Sequence, residues 1–77
     1  MRVFGYPITT APAEEISPEG LAEITLCASP EELREMSLFL SACAEEMEIM
    51  GPSYGHVHLS DRHKRFEDSP HFVVVRD

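Results

Sequence analysis

Apolar residues recur at alternating three- and four-residue steps between Ser29 and Gly51. Ser29, Pro30 and Glu32 have the residue types and spacing of a capping box at a helix start, and Gly51 followed by Pro52 is a typical stop signal. The spacing predicts a helix over residues 30–50. Its core-facing stripe is predicted to consist of Leu33, Met36, Leu40, Cys43, Met47 and Met50.

Outside this helix the sequence predicts four strands, over residues 2–6, 21–28, 54–60 and 72–75. Apolar and polar residues alternate in the second and third of them. Ile24 and Leu26 of the second strand are predicted to face the core. Val57 and Leu59 of the third strand are predicted to face the same core. The order β-β-α-β-β predicts an α+β fold with two layers, in which one α-helix packs on a four-stranded, mainly antiparallel sheet.

The length of the chain predicts a single domain over residues 1–77, close to the smallest size that one hydrophobic core can hold together. Residues 7–20 contain Pro12 and Pro18 among polar residues, and this composition predicts a flexible loop. The last strand, from Phe72 to Val75, is apolar on both faces. We therefore expect it to be central in the sheet or covered on its second side, and a homodimer would supply such a cover.

Charge is distributed unevenly along the chain. Residues 1–50 contain ten acidic and two basic side chains, whereas residues 51–77 contain four of each, so the net charge of −8 belongs to the first fifty residues. This excess argues against a nucleic acid partner. No apolar run is long enough for a signal peptide or a membrane span, and we expect a cytoplasmic protein with no membrane partner.

The pair His56 and His58 is the first candidate for chemistry, because residues two apart on a strand project from the same face and could reach one metal ion. Asp61 and His63 follow, and the run His-x-His-x-x-Asp-x-His is similar to the His-x-His-x-Asp-His segment of metallo-hydrolases. The spacing departs from that segment by one residue on each side of the aspartate. Histidines on a solvated or dimer-facing side of a sheet are the simpler interpretation. His56, His58 and His63 are therefore candidate metal ligands only, and we expect no cofactor.

The two cysteines do not have the setting of a catalytic nucleophile. Cys43 lies in the apolar helix stripe, where a thiol keeps little reactivity, and we interpret Cys27 as a packed, reduced thiol. The sequence also contains no glycine-rich phosphate loop. We expect no catalytic residues and no enzymatic activity.

Carboxylates crowd the C-terminal end of the predicted helix. Glu45, Glu46 and Glu48 oppose the helix dipole there, and no Lys or Arg in the last three turns offsets them. Helix propensity and solubility are sufficient to explain glutamates on a helix surface. The more specific interpretation is an acidic surface for a basic protein partner, with apolar contact added by Leu38 and Ile49.

The stretch from Glu23 to Val75 resembles the small bacterial toxin-immunity proteins of the immunity protein 32 type. Three segments carry the resemblance: Thr-Leu-Cys-Ala-Ser-Pro-Glu-Glu-Leu from residue 25, His-Val-His-Leu-Ser-Asp from residue 56, and Phe-Val-Val-Val from residue 72. The resemblance implies a non-catalytic cytoplasmic protein that binds and blocks a toxin domain, often through an acidic face.

Three hypotheses about function follow from these observations. The first is an immunity- or inhibitor-like interaction protein that binds a basic protein partner through an acidic helix face. The second is a metal-binding protein, or a small metal-dependent enzyme, that uses His56, His58 and His63. The third is a structural homodimer subunit of a larger assembly.

Overall fold

A computed structural model describes residues 1–7 and 19–77 of the chain. The elements follow in the order β1 (Arg2–Pro7), β2 (Leu21–Cys27), α1 (Pro30–Met50), β3 (His56–His58), α2 (Leu59–Arg62) and β4 (Val73–Val75). The predicted α+β class is confirmed, with α1 as its main helix. Most of the predicted flexible loop, residues 8–18, lies outside the described residues, and Pro7 belongs to β1.

The strands form two small antiparallel sheets in the described part of the chain, β1 with β2 and β3 with β4. This corrects the prediction of one four-stranded sheet. The predicted strand over 54–60 is only three residues long, because the chain turns into α2 at Leu59 instead of continuing in extended form. The backbone amide of Leu59 still donates to the carbonyl of Phe72, 2.9 Å away, before the chain turns.

Both ends of α1 have the predicted caps. The backbone amide of Glu32 donates to Ser29 Oγ at 3.2 Å, and the amide of Ser29 donates to Glu32 Oε1 at 2.9 Å, which completes the capping box. At the other end Gly51 has φ +56°, a conformation that favours glycine, and its amide donates to the carbonyl of Met47.

The core lies between α1 and the segment that follows β3. Its side chains share nearly complete burial in the described structure; they are Met36, Phe39, Cys43, Tyr54, Leu59 and Phe66. Val57 and Val74 pack against this cluster from the small sheet. The burial of Cys43 and Leu59 is as predicted, but Leu59 reaches the core from the start of α2.

The predicted helix stripe is partly wrong, because α1 presents Phe39 to the core in place of Leu33 and Leu40. Phe39 is only 1% exposed. Three residues of the predicted stripe remain nearly half exposed: Leu33, Leu40 and Met50. The helix is therefore rotated about its axis relative to the orientation predicted from the apolar spacing. The reason is size, because the phenyl ring is the largest apolar group on the helix and burying it removes the most apolar surface from water.

The β1–β2 ribbon does not supply the core surface that was predicted. Ile24 is 57% exposed and Leu26 is also exposed, so the prediction that both face the core is wrong. Leu59 and Phe66 occupy the core in place of Ile24 and Leu26. The expected cover over the last strand is also missing from the described residues, where Val73 and Val75 are exposed.

Candidate partner-binding surface

The carboxylates of α1 divide into two groups, and the first group is paired within the molecule. Glu46 receives a bidentate contact from Arg62, with both guanidinium nitrogens 2.8 Å from its oxygens. Glu35 accepts from Arg65 Nε at 2.9 Å, and His63 Nδ1 lies 3.4 Å from its other oxygen. These contacts tie the segment around α2 to the side of α1 that faces the core.

These pairs alter how the two carboxylates titrate. The hydrogen bonds from Arg62 hold the pKa of Glu46 below its ordinary value of 4.5. The hydrogen bond from Arg65 does the same for the pKa of Glu35. Both carboxylates therefore stay ionised under mildly acidic conditions. A neighbouring arginine compensates the negative charge of each one.

The second group of carboxylates points away from the body of the protein. Glu31, Glu45 and Glu48 are exposed, and none has an ion-pair partner within the described residues. Sequence reasoning placed Glu46 in this group because Arg62 is sixteen residues away and the contact depends on the tertiary fold. The available acidic side chains at the C-terminal end of α1 are thus Glu45 and Glu48.

Two large apolar side chains stand on the same side of α1 as Glu45. Leu38 precedes Glu45 by seven residues and Ile49 follows it by four, spacings that align them along one side of a helix. Leu38 is 66% exposed and Ile49 is 79% exposed. We call Leu38, Glu45 and Ile49, together with Glu31, the outer stripe of α1; Leu38 and Ile49 are about 16 Å apart along the axis.

The C-terminal end of α1 receives a cation that its own sequence lacks. Arg76, just beyond β4, donates from its guanidinium to the carbonyl of Met47 at 2.8 Å. A cation at this position compensates the negative end of the helix dipole. Together with Arg62, it offsets the unfavourable position of Glu46 without a basic residue in the last turns of the helix.

The histidines are arranged differently from the sequence-based hypothesis. His56 and His58 lie side by side, with ring centroids 5.3 Å apart. The third imidazole beside them is His71, 5.6 Å from His58, and sequence reasoning missed it because only the β3–β4 register brings it there. His63 instead packs edge-on against Phe39 and next to Glu35. Within residues 1–7 and 19–77, no group of three His, Cys, Asp or Glu side chains is arranged to hold a metal ion.

A shallow cleft of about 560 Å³ lies where the β1–β2 ribbon meets the start of α1. Its polar groups include Ser29 and Glu32, whose side chains are already engaged in the capping box. Cys27 lines the cleft as a free, half-buried thiol. These groups position the helix end, and we assign them no chemistry.

No helix in the described part of the chain combines the length and apolar composition that a transmembrane span requires. Searches of curated proteins and of solved structures gave no significant match. The family model described as Immunity protein 32 matches residues 23–77, which include most of β2 and every later element. The match spans more than two thirds of the chain, and the chain belongs to the immunity protein 32 family.

Proposed function

We propose that this protein is a non-catalytic immunity protein that binds a basic toxin domain through the outer stripe of α1 and thereby blocks it. Membership of the immunity protein 32 family supports inhibition of a toxin by protein–protein contact. The observation that carries the choice of surface is the exposure of Leu38 and Ile49 beside a carboxylate with no partner in the described structure. We further propose that the protein acts in the cytoplasm, where its two free thiols stay reduced.

The outer stripe has the composition of a protein-binding surface. Interfaces combine apolar side chains at the centre with a polar or charged rim, and a few of the apolar side chains supply most of the binding free energy. Ile49 and Leu38 would fill apolar pockets on the toxin. Glu45, together with Glu48 beside the outer stripe, would face basic residues at the edge of the contact and accelerate its formation.

Charge complementarity favours a basic partner over a neutral one. The net charge of −8 belongs to residues 1–50, and α1 presents three of those carboxylates without an internal cation in the described structure. Nucleases and other toxins that act on nucleic acid carry basic surfaces, because they must bind phosphates. A toxin of that class fits this surface best.

The experiment is a binding measurement by biolayer interferometry against the purified products of the reading frames that flank the gene for this protein. Ile49→Ala should weaken binding at least about 10-fold, because truncation of an apolar hot spot typically costs about 2 kcal/mol or more. Glu45→Lys should mainly lower the association rate, and the effect should shrink as salt is added.

Two matched variants separate this surface from general effects. Glu67→Lys makes the same change in net charge at an exposed position outside α1, and Val75→Ala truncates an exposed apolar side chain on β4. Both should bind like the natural chain. Equal losses in Glu45→Lys and Glu67→Lys, or in Ile49→Ala and Val75→Ala, would remove the outer stripe from the proposal.

A further inference from the structure

Among the described residues, the β1–β2 ribbon has an open edge along β2. In this part of the chain β1 is the only strand that pairs with β2, and no described strand pairs with the other side of β2. Two-stranded ribbons are only marginally stable in water, and open edges in natural proteins are usually protected by charge, proline or a bulge at the exposed positions. From Glu23 to Cys27, β2 contains a single charged residue and no proline.

One face of this ribbon is entirely apolar. The register pairs Val3 with Leu26 and Gly5 with Ile24, which places these residues on the same face. A bulge near Pro7 brings the side chain of Leu21 onto this face as well, because a Cβ on Gly5 would lie 2.7 Å from Leu21 Cδ1. Leu21, Ile24 and Leu26 are all exposed there.

We infer that two copies of this chain associate by antiparallel pairing of β2 with β2, with the two-fold axis at Ile24. The result is a four-stranded sheet in the order β1-β2-β2-β1. The inference does not rest on the proposed function, since it concerns a surface away from the outer stripe of α1.

The residues of β2 are self-complementary in this register. Ile24 lies opposite Ile24 of the second copy, and the two apolar faces become continuous. Glu23 lies opposite Thr25 of the second copy, so the two Glu23 carboxylates do not face each other. This point matters because each copy carries a net charge of −8, and a contact between copies must lie where few acidic side chains meet.

The edge of β2 is better suited to this pairing than the edge of β1. Pro7 has no amide hydrogen to donate, and Gly5 weakens a strand interior. The centre of β2 has Ile24 and Thr25, whose β-branched side chains favour extended backbone. A strand from another protein could also pair with this edge, and the test distinguishes that case.

The first test is sedimentation equilibrium on the purified chain alone, at concentrations up to about 1 mM, where weak association is still detected. The natural chain should approach twice the 8.7 kDa mass of one chain as concentration rises. Ile24→Lys places two like charges at the axis and should remain a monomer at the same concentrations. Thr25→Lys, the matched control, places the new cation opposite Glu23 and should still dimerise.

The second test fixes the register by cross-linking. In a Cys27→Ser background, Ile24→Cys should form a disulfide-linked dimer on mild oxidation, whereas Thr25→Cys should not, because the two Thr25 residues are not opposite each other. The helical circular dichroism signal shows whether each variant is folded. A natural chain that stays monomeric overturns the inference, including the case in which it pairs only with a strand of another protein. Equal behaviour of the two lysine variants, or of the two cysteine variants, also overturns it.

Discussion

Phe39 sets the orientation of α1. Its ring is buried at the centre of the core and packs edge-on against His63, with 6.1 Å between the ring centroids. Leu40, the next residue, is turned partly to solvent by the same geometry. A single aromatic side chain therefore decides which helix residues are free to contact a partner.

Truncation of these two neighbours should have very different costs. Phe39→Ala removes a fully buried ring and should lower the free energy of unfolding by about 3–5 kcal/mol. Leu40→Ala removes a side chain that is already nearly half in water and should cost about 1 kcal/mol. Urea unfolding followed by circular dichroism gives both values. A larger loss for Leu40→Ala would mean that the helix has the orientation predicted from the apolar spacing.

Glu46 and Arg62 link the surface of α1 to α2. Because Arg62 holds the pKa of Glu46 below 4.5 in the folded state, this pair stabilises the protein fully above that value. The stabilisation is lost as the pH falls through the lowered pKa of the folded state. The pair of Glu35 and Arg65 stabilises the folded protein with the same dependence on pH, because Arg65 also lowers the pKa of Glu35.

The Glu46→Gln variant tests this pair through the pH dependence of stability. It should have a lower urea midpoint than the natural chain at neutral pH, and the two midpoints should converge below pH 4.5. Glu45→Gln is the control, since Glu45 is exposed and has no ion partner in the described structure. Convergence that is equally large for Glu45→Gln would assign the effect to general charge repulsion.

At the scale of elements, the two ends of α1 depend on local sequence. The capping box joins residues three positions apart, and the stop at Gly51 depends on one residue with positive φ. Such short-range signals can be predicted from the sequence, and both were.

Ser29→Ala should lower the free energy of unfolding by about 1 kcal/mol, and Ser29→Asp, which keeps an acceptor at the cap, should retain most of the stability. Equal loss in both variants, measured by thermal unfolding, would contradict a capping role.

The contacts that sequence reasoning missed join residues far apart in the chain. The pairing of Arg62 with Glu46 and the position of His71 depend on how α2 and β4 return to the body of the protein. Strand existence was predicted for all four strands, but strand grouping was not. Alternation in a sequence indicates that a strand has two different faces and does not indicate which element covers either face.

At the scale of the whole molecule, charge and apolar exposure mark two separate surfaces. The outer stripe of α1 combines carboxylates with Leu38 and Ile49, whereas the β1–β2 ribbon is nearly uncharged and exposes Ile24 and Leu26. We propose the acidic surface for a basic toxin and the edge of β2, with its single charged residue, for a second copy of this chain. Under these proposals, binding of a toxin to the outer stripe does not require pairing of two copies at β2.

The proposed inhibition is best measured by titrating the activity of the toxin bound in the interferometry experiment with the purified protein. At toxin concentrations well above the Kd, activity should fall in proportion to added protein and be abolished at one equivalent. At toxin concentrations below the Kd, Ile49→Ala should need at least about 10-fold more protein than the natural chain for half-inhibition, and Val75→Ala should need the same amount. Full toxin activity in the presence of excess natural protein, or identical titrations for Ile49→Ala and the natural chain, would contradict the proposal.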